Sequence, residues 1–227
     1  MGCTTGMRWE GGDDATVTYV GVDEAGRGCL AGPVYAGAVI WRRRPDTLSS
    51  SDEKIIRDSK TLSQKQRARA RAIIETQADA WAVGTASPRE IDQHNILGAT
   101  MLAMHRAIDQ VVSQEANSSS GRMVLLVDGD RFKPYISRVT KEFVQHTCIT
   151  EGDSKIIAIA AASILAKTHK DEFMQGEEAH QKYPQYGWDR NAGYGTAAHM
   201  QALREHGPCD MHRKSFAPCS SRGAPPP

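Results

Sequence analysis

Apolar residues run almost unbroken from Val17 to Val22 and again from Val34 to Trp41, with a glycine-rich stretch between them. Val-rich runs of this length bounded by glycine predict strands, and their short connection predicts antiparallel neighbours. Ser63-Gln64-Lys65-Gln66 has capping-box spacing and predicts a helix to about Gln77. Trp81 to Ala86 is a short strand candidate. Ser87-Pro88-Arg89-Glu90 forms a second capping box, with proline where a first-turn N–H has no helical partner. Ile96, Leu97, Met101, Met104, Ile108 and Val111 recur at helical spacing and predict a helix from Ile96 to Val112 with this stripe against a core. The methionines in it read as packing. After a serine-rich loop, Gln114 to Gly121, the all-apolar Met123 to Val127 predicts a strand ending in Asp128-Gly129. Phe143 to Ile149 predicts another, followed by Glu151-Gly152-Asp153-Ser154. A helix is expected from Lys155 to about Met174. Its first half is apolar on nearly every side with small residues, which calls for burial against a sheet, and its second half, Lys167 to Glu172, is charged. Tyr183 to Gly195 is aromatic and glycine-rich, and a last helix from Thr196 to His206 stops at Gly207-Pro208.

Strands interleaved with helices make this an α/β chain. Its 227 residues suit one large domain, expected over 16–216, with flexible tails at 1–15 and 217–227. Hydrophobic residues at 40% are enough for a core, and the net charge of +1 does not point to a nucleic-acid partner. Local charge says more: Arg42 to Arg71 holds ten Lys or Arg against four acids, an excess that could track a phosphate backbone or form a solvated helix face. The five cysteines are scattered with no CxxC pair, which argues against zinc and a disulfide framework and for a reducing compartment. The longest apolar run, Ile156 to Ala166, is about half a membrane span. The first fifteen residues lack a secretory apolar segment.

The candidate chemistry lies in carboxylates at comparable places. Asp23 and Glu24 end one strand, Asp128 ends another, and Asp153 stands where a buried helix begins. Strand ends and a helix start can converge on one edge of an α/β sheet. Four carboxylates there would repel one another unless cations neutralised them, and an all-oxygen set suits magnesium or manganese. Two such ions can serve in-line displacement at a phosphodiester. Taken singly, Asp153 could be a helix cap and Asp128 a turn residue. Gly26-Arg27-Gly28, just past the first pair of acids, offers exposed backbone N–H groups.

The chain resembles ribonuclease HII, the single-chain bacterial type 2 ribonuclease H. The resemblance rests on GVDEAGRG (21–28) continuing through GPVYAGAV, DSKTLS (58–63), NILGATMLAM (95–104) and VDG (127–129). It continues with EGDSK (151–155), IAAASILAK (159–167), YPQYGW (183–188), GYGT (193–196) and HRKSF (212–216), and so spans Tyr19 to Phe216. The resemblance implies a ribonuclease-H-like mixed β-sheet flanked by helices, with a small helical C-terminal portion. It implies a metal-dependent endoribonuclease that cleaves the RNA strand of RNA/DNA hybrids and single ribonucleotides embedded in duplex DNA. Cleavage would fall on the 5′ side of the ribonucleotide, leaving 3′-hydroxyl and 5′-phosphate ends.

By motif match the catalytic, metal-binding acids would be Asp23, Glu24, Asp128 and Asp153, holding two divalent cations. Gly26, Arg27, Gly28 and Tyr194 would bind the ribonucleotide and its flanking phosphates, with Lys60, Asn95, Ser163 and Lys167 as further phosphate contacts. An ion pair between Lys167 and Asp171 at i,i+4 is the competing account of Lys167. Ala192 stands where many relatives carry lysine, which removes one phosphate contact. A catalytically inactive hybrid-binding module and a DNA nuclease or resolvase of the same fold are the alternatives. A cytoplasmic monomer is expected, with no protein partner, because the C-terminus shows no apolar-aromatic clamp-binding tail.

Overall fold

In a computed structural model of the chain, residues 16–42, 52, 55–56, 62–115 and 122–220 are described. Six strands form one mixed sheet in the order β3-β2-β1-β4-β6-β5. They are β1 (Val17–Ala25), β2 (Val34–Ile40), β3 (Ala80–Ala86), β4 (Arg122–Asp128), β5 (Tyr135–Ile136) and β6 (Phe143–Ile149). The expected β1–β2 pairing is antiparallel, with Asp23 opposite Gly37, and β1 runs parallel to β4. The two-residue β5, which has no sequence pattern long enough to read, pairs antiparallel with β6 at the sheet edge.

The helices are α1 (Gln64–Gln77), α2 (Pro88–Glu115), α3 (Ile157–Gln175), the single turn α4 (Trp188–Asn191) and α5 (Ala197–His206). Both capping boxes form: Gln66 N–H donates to Ser63 Oγ at 3.3 Å, and Ser87 N–H donates to Glu90 Oε2 at 2.8 Å. A first helical segment starts at Pro88, behind the Ser87 capping box, and breaks at Asn95, whose φ of 57° lies in the left-handed region, and the helix expected from Ile96 begins just past it. Asn95 Oδ1 then accepts the Gly98 N–H at 3.0 Å and restarts the helix as its cap. Met101, Met104, Ile108 and Val111 are buried as expected, but Leu97 is exposed.

Strand alternation decides which side of the sheet each residue serves. Val20 and Val22 join α2 in one core, whereas Val17 and Tyr19 pack with Ile156 and Ile159 on the other side. Gly21 and Asp23 share that second side, where α3 lies. A Cβ on Gly21 would sit 2.2 Å from the Ala158 carbonyl carbon, and one on Gly37 would sit 2.3 Å from the Ala162 oxygen. The helix therefore rests on bare backbone at two neighbouring strands, and its residues from Ile157 to Ala166 are all buried.

The C-terminal elements form their own cluster around Trp188, Tyr186 and Met174. Order continues past the boundary expected at 216: Cys219 is buried, and Ser220 N–H donates to Phe216 O at 2.9 Å. Among the described residues no helix is long and apolar enough to cross a membrane. Gly21→Ala should cost about 3 kcal/mol or block folding, because the clash is with backbone that cannot rotate away. An unchanged urea midpoint for that variant would show that α3 does not rest on β1 this closely.

Candidate active site

The parallel register pairs Val22 with Val127, so the next residues, Asp23 and Asp128, leave adjacent strand ends together. Asp23 is 5% exposed and points toward α3, where Ser163 donates a side-chain hydrogen bond to it. The Glu24 amide also donates to Asp23 Oδ1, at 2.6 Å. Ser163, expected as a phosphate contact, is thus a holder of Asp23. Asp128 Oδ1 accepts the Gly152 N–H at 2.7 Å. Gly152 can come so close because a Cβ there would meet Ile159 Cδ1 at 2.7 Å. That contact brings in the 3₁₀ turn Gly152–Ser154, in which Asp153 is buried. Asp153 does not cap α3: the residue at that position is Ile156, with no side-chain cap bond.

Burial first, then the charges of Glu24 and Asp128, push the Asp23 carboxyl well above its usual range. Glu24 is raised too, mainly by burial, with Arg27 opposing through a 3.0 Å ion pair and Asp128 adding to the rise. Three carboxylates thus feel one another, with Asp153 one residue beyond Gly152. Among the described residues no group of three His, Cys, Asp or Glu is already drawn in to the spacing of an ion cage. The donor set is nevertheless all oxygen, mutually repelling and partly buried. That is the chemistry a hard divalent cation fits.

Beyond the acids, Gly26 turns the chain at φ +90°, and Arg27 and Gly28 are exposed. What holds this turn is Arg213, a fully buried residue to which sequence reasoning gave no role. Its Nη2 donates to the Gly26 carbonyl at 2.7 Å, its Nη1 to Arg27 O at 2.8 Å, and its Nε to Gly32 O at 3.0 Å. Burial lowers the guanidinium only to about 10, so it stays charged at neutral pH. Its sequence neighbours, His212 and Lys214, are polar, so nothing local marked it as buried.

The C-terminal segment is stitched to the same loop. Leu30 N–H donates to Gly193 O at 2.8 Å, and Cys29 forms an isolated bridge with Tyr194. Tyr194 is thereby placed beside the glycine turn, 38% exposed. Lys167 lies 5.4 Å from its ring centre while paired to Asp171 at 2.7 Å, so the i,i+4 ion pair forms. Asn95 is occupied as a cap, and Lys60 lies outside the described residues. In the basic segment, Arg42, Arg69 and Arg71 each pair with an internal acid, and Arg67 donates to the Leu62 carbonyl. Arg43, Arg44, Lys54 and Arg57 are outside the described residues. A groove of about 800 Å³ leads away from Tyr194 past Lys167, Arg67, Arg71 and Arg190.

Tyr194 is held from behind by two buried histidines. His199 Nδ1–H donates to Tyr194 O at 2.9 Å, and Trp188 Nε1–H donates to His199 Nε2 at 3.1 Å. His212 Nδ1 accepts the Cys209 N–H at 3.0 Å, which leaves the His212 proton on Nε2, 3.0 Å from His199 Nε2. Neutral tautomers fit this arrangement, with the one lone pair of His199 Nε2 shared between the Trp188 and His212 donors. Burial, and for His212 its neighbour His199, holds both below the usual imidazole range, His212 at about 4.

The ribonuclease HII family model matches residues 20–219. Ribonuclease HII from Phocaeicola vulgatus is 47% identical over 196 residues, covering 86% of this chain and 87% of that protein. Among solved structures, the ribonuclease H2 of Pyrococcus horikoshii superposes with a TM-score of 0.67 at 22% identity, covering 89% of this chain and 95% of its own. The ribonuclease HII of Archaeoglobus fulgidus, solved in complex with PCNA, gives 0.61 at 21% identity, covering 88% and 95%. These two likenesses bear out the expected ribonuclease-H-like fold. With a PCNA complex among the neighbours, the expectation of no protein partner is not kept.

The neutral histidines carry a pH dependence whose sign follows from linkage. A His212 depressed in the folded state stabilises fully above the unfolded value of 6.5. That contribution is lost as pH falls from there toward about 4. The full loss is about 3 kcal/mol. Urea midpoints should therefore fall more steeply between pH 7 and 4.5 for the wild type than for His212→Gln. Parallel slopes would contradict the neutral pairing.

Proposed function

The chain belongs to the ribonuclease HII family, endoribonucleases that act on RNA/DNA hybrids, and on that premise we propose that it also nicks duplex DNA at single embedded ribonucleotides, using Asp23, Glu24, Asp128 and Asp153. One observation supports this reading above the others. Three carboxylates from two adjacent strand ends are held in mutual repulsion, one of them buried, directly beside a backbone turn left open to solvent.

The four acids would hold two divalent cations, magnesium or manganese. Bound there, such ions supply charge neutralisation, an activated water and stabilisation of the departing oxygen. The chain's own groups prepare the rest. Ser163 and the Glu24 amide fix one Asp23 orientation, and the Gly152 amide fixes Asp128. Arg27, half exposed, balances Glu24 and can reach a phosphate flanking the site. Water adds to phosphorus and the 3′-oxygen of the upstream nucleotide leaves, giving 3′-hydroxyl and 5′-phosphate ends on the 5′ side of the ribonucleotide.

Specificity needs a reader for the 2′-hydroxyl, the group that separates a ribonucleotide from its DNA neighbours. Gly28 suits this role. A Cβ there would meet nothing within 4 Å, so the fold alone does not require glycine at that position. An approaching sugar does, because a methyl group would stand where the backbone must come close. Tyr194, beside the turn, would stack on the sugar at the junction from RNA to DNA. The cytoplasm is the expected place of action.

Asp23→Asn should reduce nicking of a duplex bearing one ribonucleotide by about a thousandfold or more while binding stays measurable. A chelator should abolish wild-type nicking, and an all-DNA duplex should stay intact. Full activity in Asp23→Asn, or in the presence of chelator, would remove the acids from the mechanism. Gly28→Ala should melt at the wild-type temperature yet lose about tenfold in kcat/KM on the same duplex. Unimpaired cleavage by that variant would show that no substrate group approaches Gly28.

A further inference from the structure

The half of α3 read from sequence as charged contains a lysine with no exposure at all, Lys170. Its ammonium lies against Asp171 Oδ1 at 3.1 Å and over the Tyr194 ring, whose centre is 4.3 Å away, closer than the 5.4 Å of Lys167. Its aliphatic chain passes under the glycine turn, where a Cβ on Gly26 would come within 3.1 Å of Lys170 Cδ. A single side chain thus touches both the turn and the tyrosine. Burying an ammonium is costly unless its partners are fixed. Asp171 is shared with Lys167 at 2.7 Å, so charge pairing alone does not account for a second lysine there.

We propose that Lys170 is a positioning residue for recognition of the ribonucleotide. It acts as a strut that fixes the angle of the Tyr194 ring relative to the Gly26–Gly28 turn. The inference rests on the reading of Tyr194 as a substrate contact. A cation near an aromatic face is attracted to the ring's quadrupole, and the attraction is stronger when both are shielded from water. Here the cation is wholly shielded while the ring keeps 38% of its surface exposed, so Lys170 can hold the ring without touching what lands on it. Without the ammonium, the Tyr194 side chain loses the nearer and fully buried of its two cations, while its backbone stays held by His199 and Cys29.

Steady-state nicking of a duplex with one embedded ribonucleotide tests this, in a cycle of Lys170→Met and Tyr194→Ala. Lys170→Met keeps an unbranched apolar stem, one atom shorter, and removes the charge. It should raise KM about fivefold with kcat held within about twofold. Lys170→Arg, which restores a cation, should recover most of the loss. In the Tyr194→Ala background, Lys170→Met should change KM by less than about twofold, because there is no ring left to position. Should Lys170→Met fail to fold, Lys170→Gln takes its place in the cycle, as an amide can still reach Asp171. An unchanged KM for the charge-removing variant overturns the proposal. So does an equal rise in both backgrounds, which would mark Lys170 as a packing residue only. If Tyr194→Ala itself leaves KM unchanged, the substrate role of Tyr194 fails first, and the two failures are told apart.

Discussion

The guanidinium of Arg213 is the constraint on which the candidate site depends. A turn such as Gly26-Arg27-Gly28 can present N–H groups outward only if its carbonyls are satisfied inward. Three N–H-bearing nitrogens of one buried cation take the carbonyls of Gly26, Arg27 and Gly32. Water cannot do this in a buried place, and a shorter or neutral side chain could not span three carbonyls at once. The same residue brings the end of the chain to its beginning, since Arg213 N–H donates to Leu30 O at 2.9 Å. The turn, the tyrosine and the C-terminal cluster are therefore one unit, and the turn cannot loosen without exposing a buried charge.

The acids obey a different constraint. Their convergence is set by the distance between β1 and α3, and that distance is set by missing side chains. Gly21 and Gly37 let the helix touch the sheet, which carries Ser163 within reach of Asp23 and draws the Gly152 turn toward Asp128. The cost of the arrangement is visible in the raised Asp23 and Glu24, whose charges the protein leaves only partly balanced by Arg27. Close packing by small residues and carboxylate repulsion are thus two sides of one design.

Most strands and helices could be read from the chain because their signals are local. The two capping boxes, the Val-rich runs and the Gly207 stop each act within a few residues of where they appear. The acids at strand ends were legible for the same reason. Asn95 escaped because a helix stripe and its interruption look alike until the backbone angle is seen. Ser163, Lys170 and Arg213 escaped for a different reason. Each acts on a partner across the fold, and a lysine in a charged run or an arginine near a terminus carries no local mark of burial. Ser163 was noticed through resemblance, but its bond to Asp23 has no local mark in the sequence.

Lys170 and Arg213 also show how the molecule separates chemistry from recognition. Both are buried cations, and neither reaches the carboxylates: Arg213 spends its donors on turn carbonyls, and Lys170 on Asp171 and an aromatic face. Arg27 only partly balances the acids, while the buried charges shape the turn and the tyrosine. That division lets the acids repel one another without loosening the turn a few residues away. A cation placed among the acids by the protein itself would relieve that repulsion and weaken the pull on divalent ions.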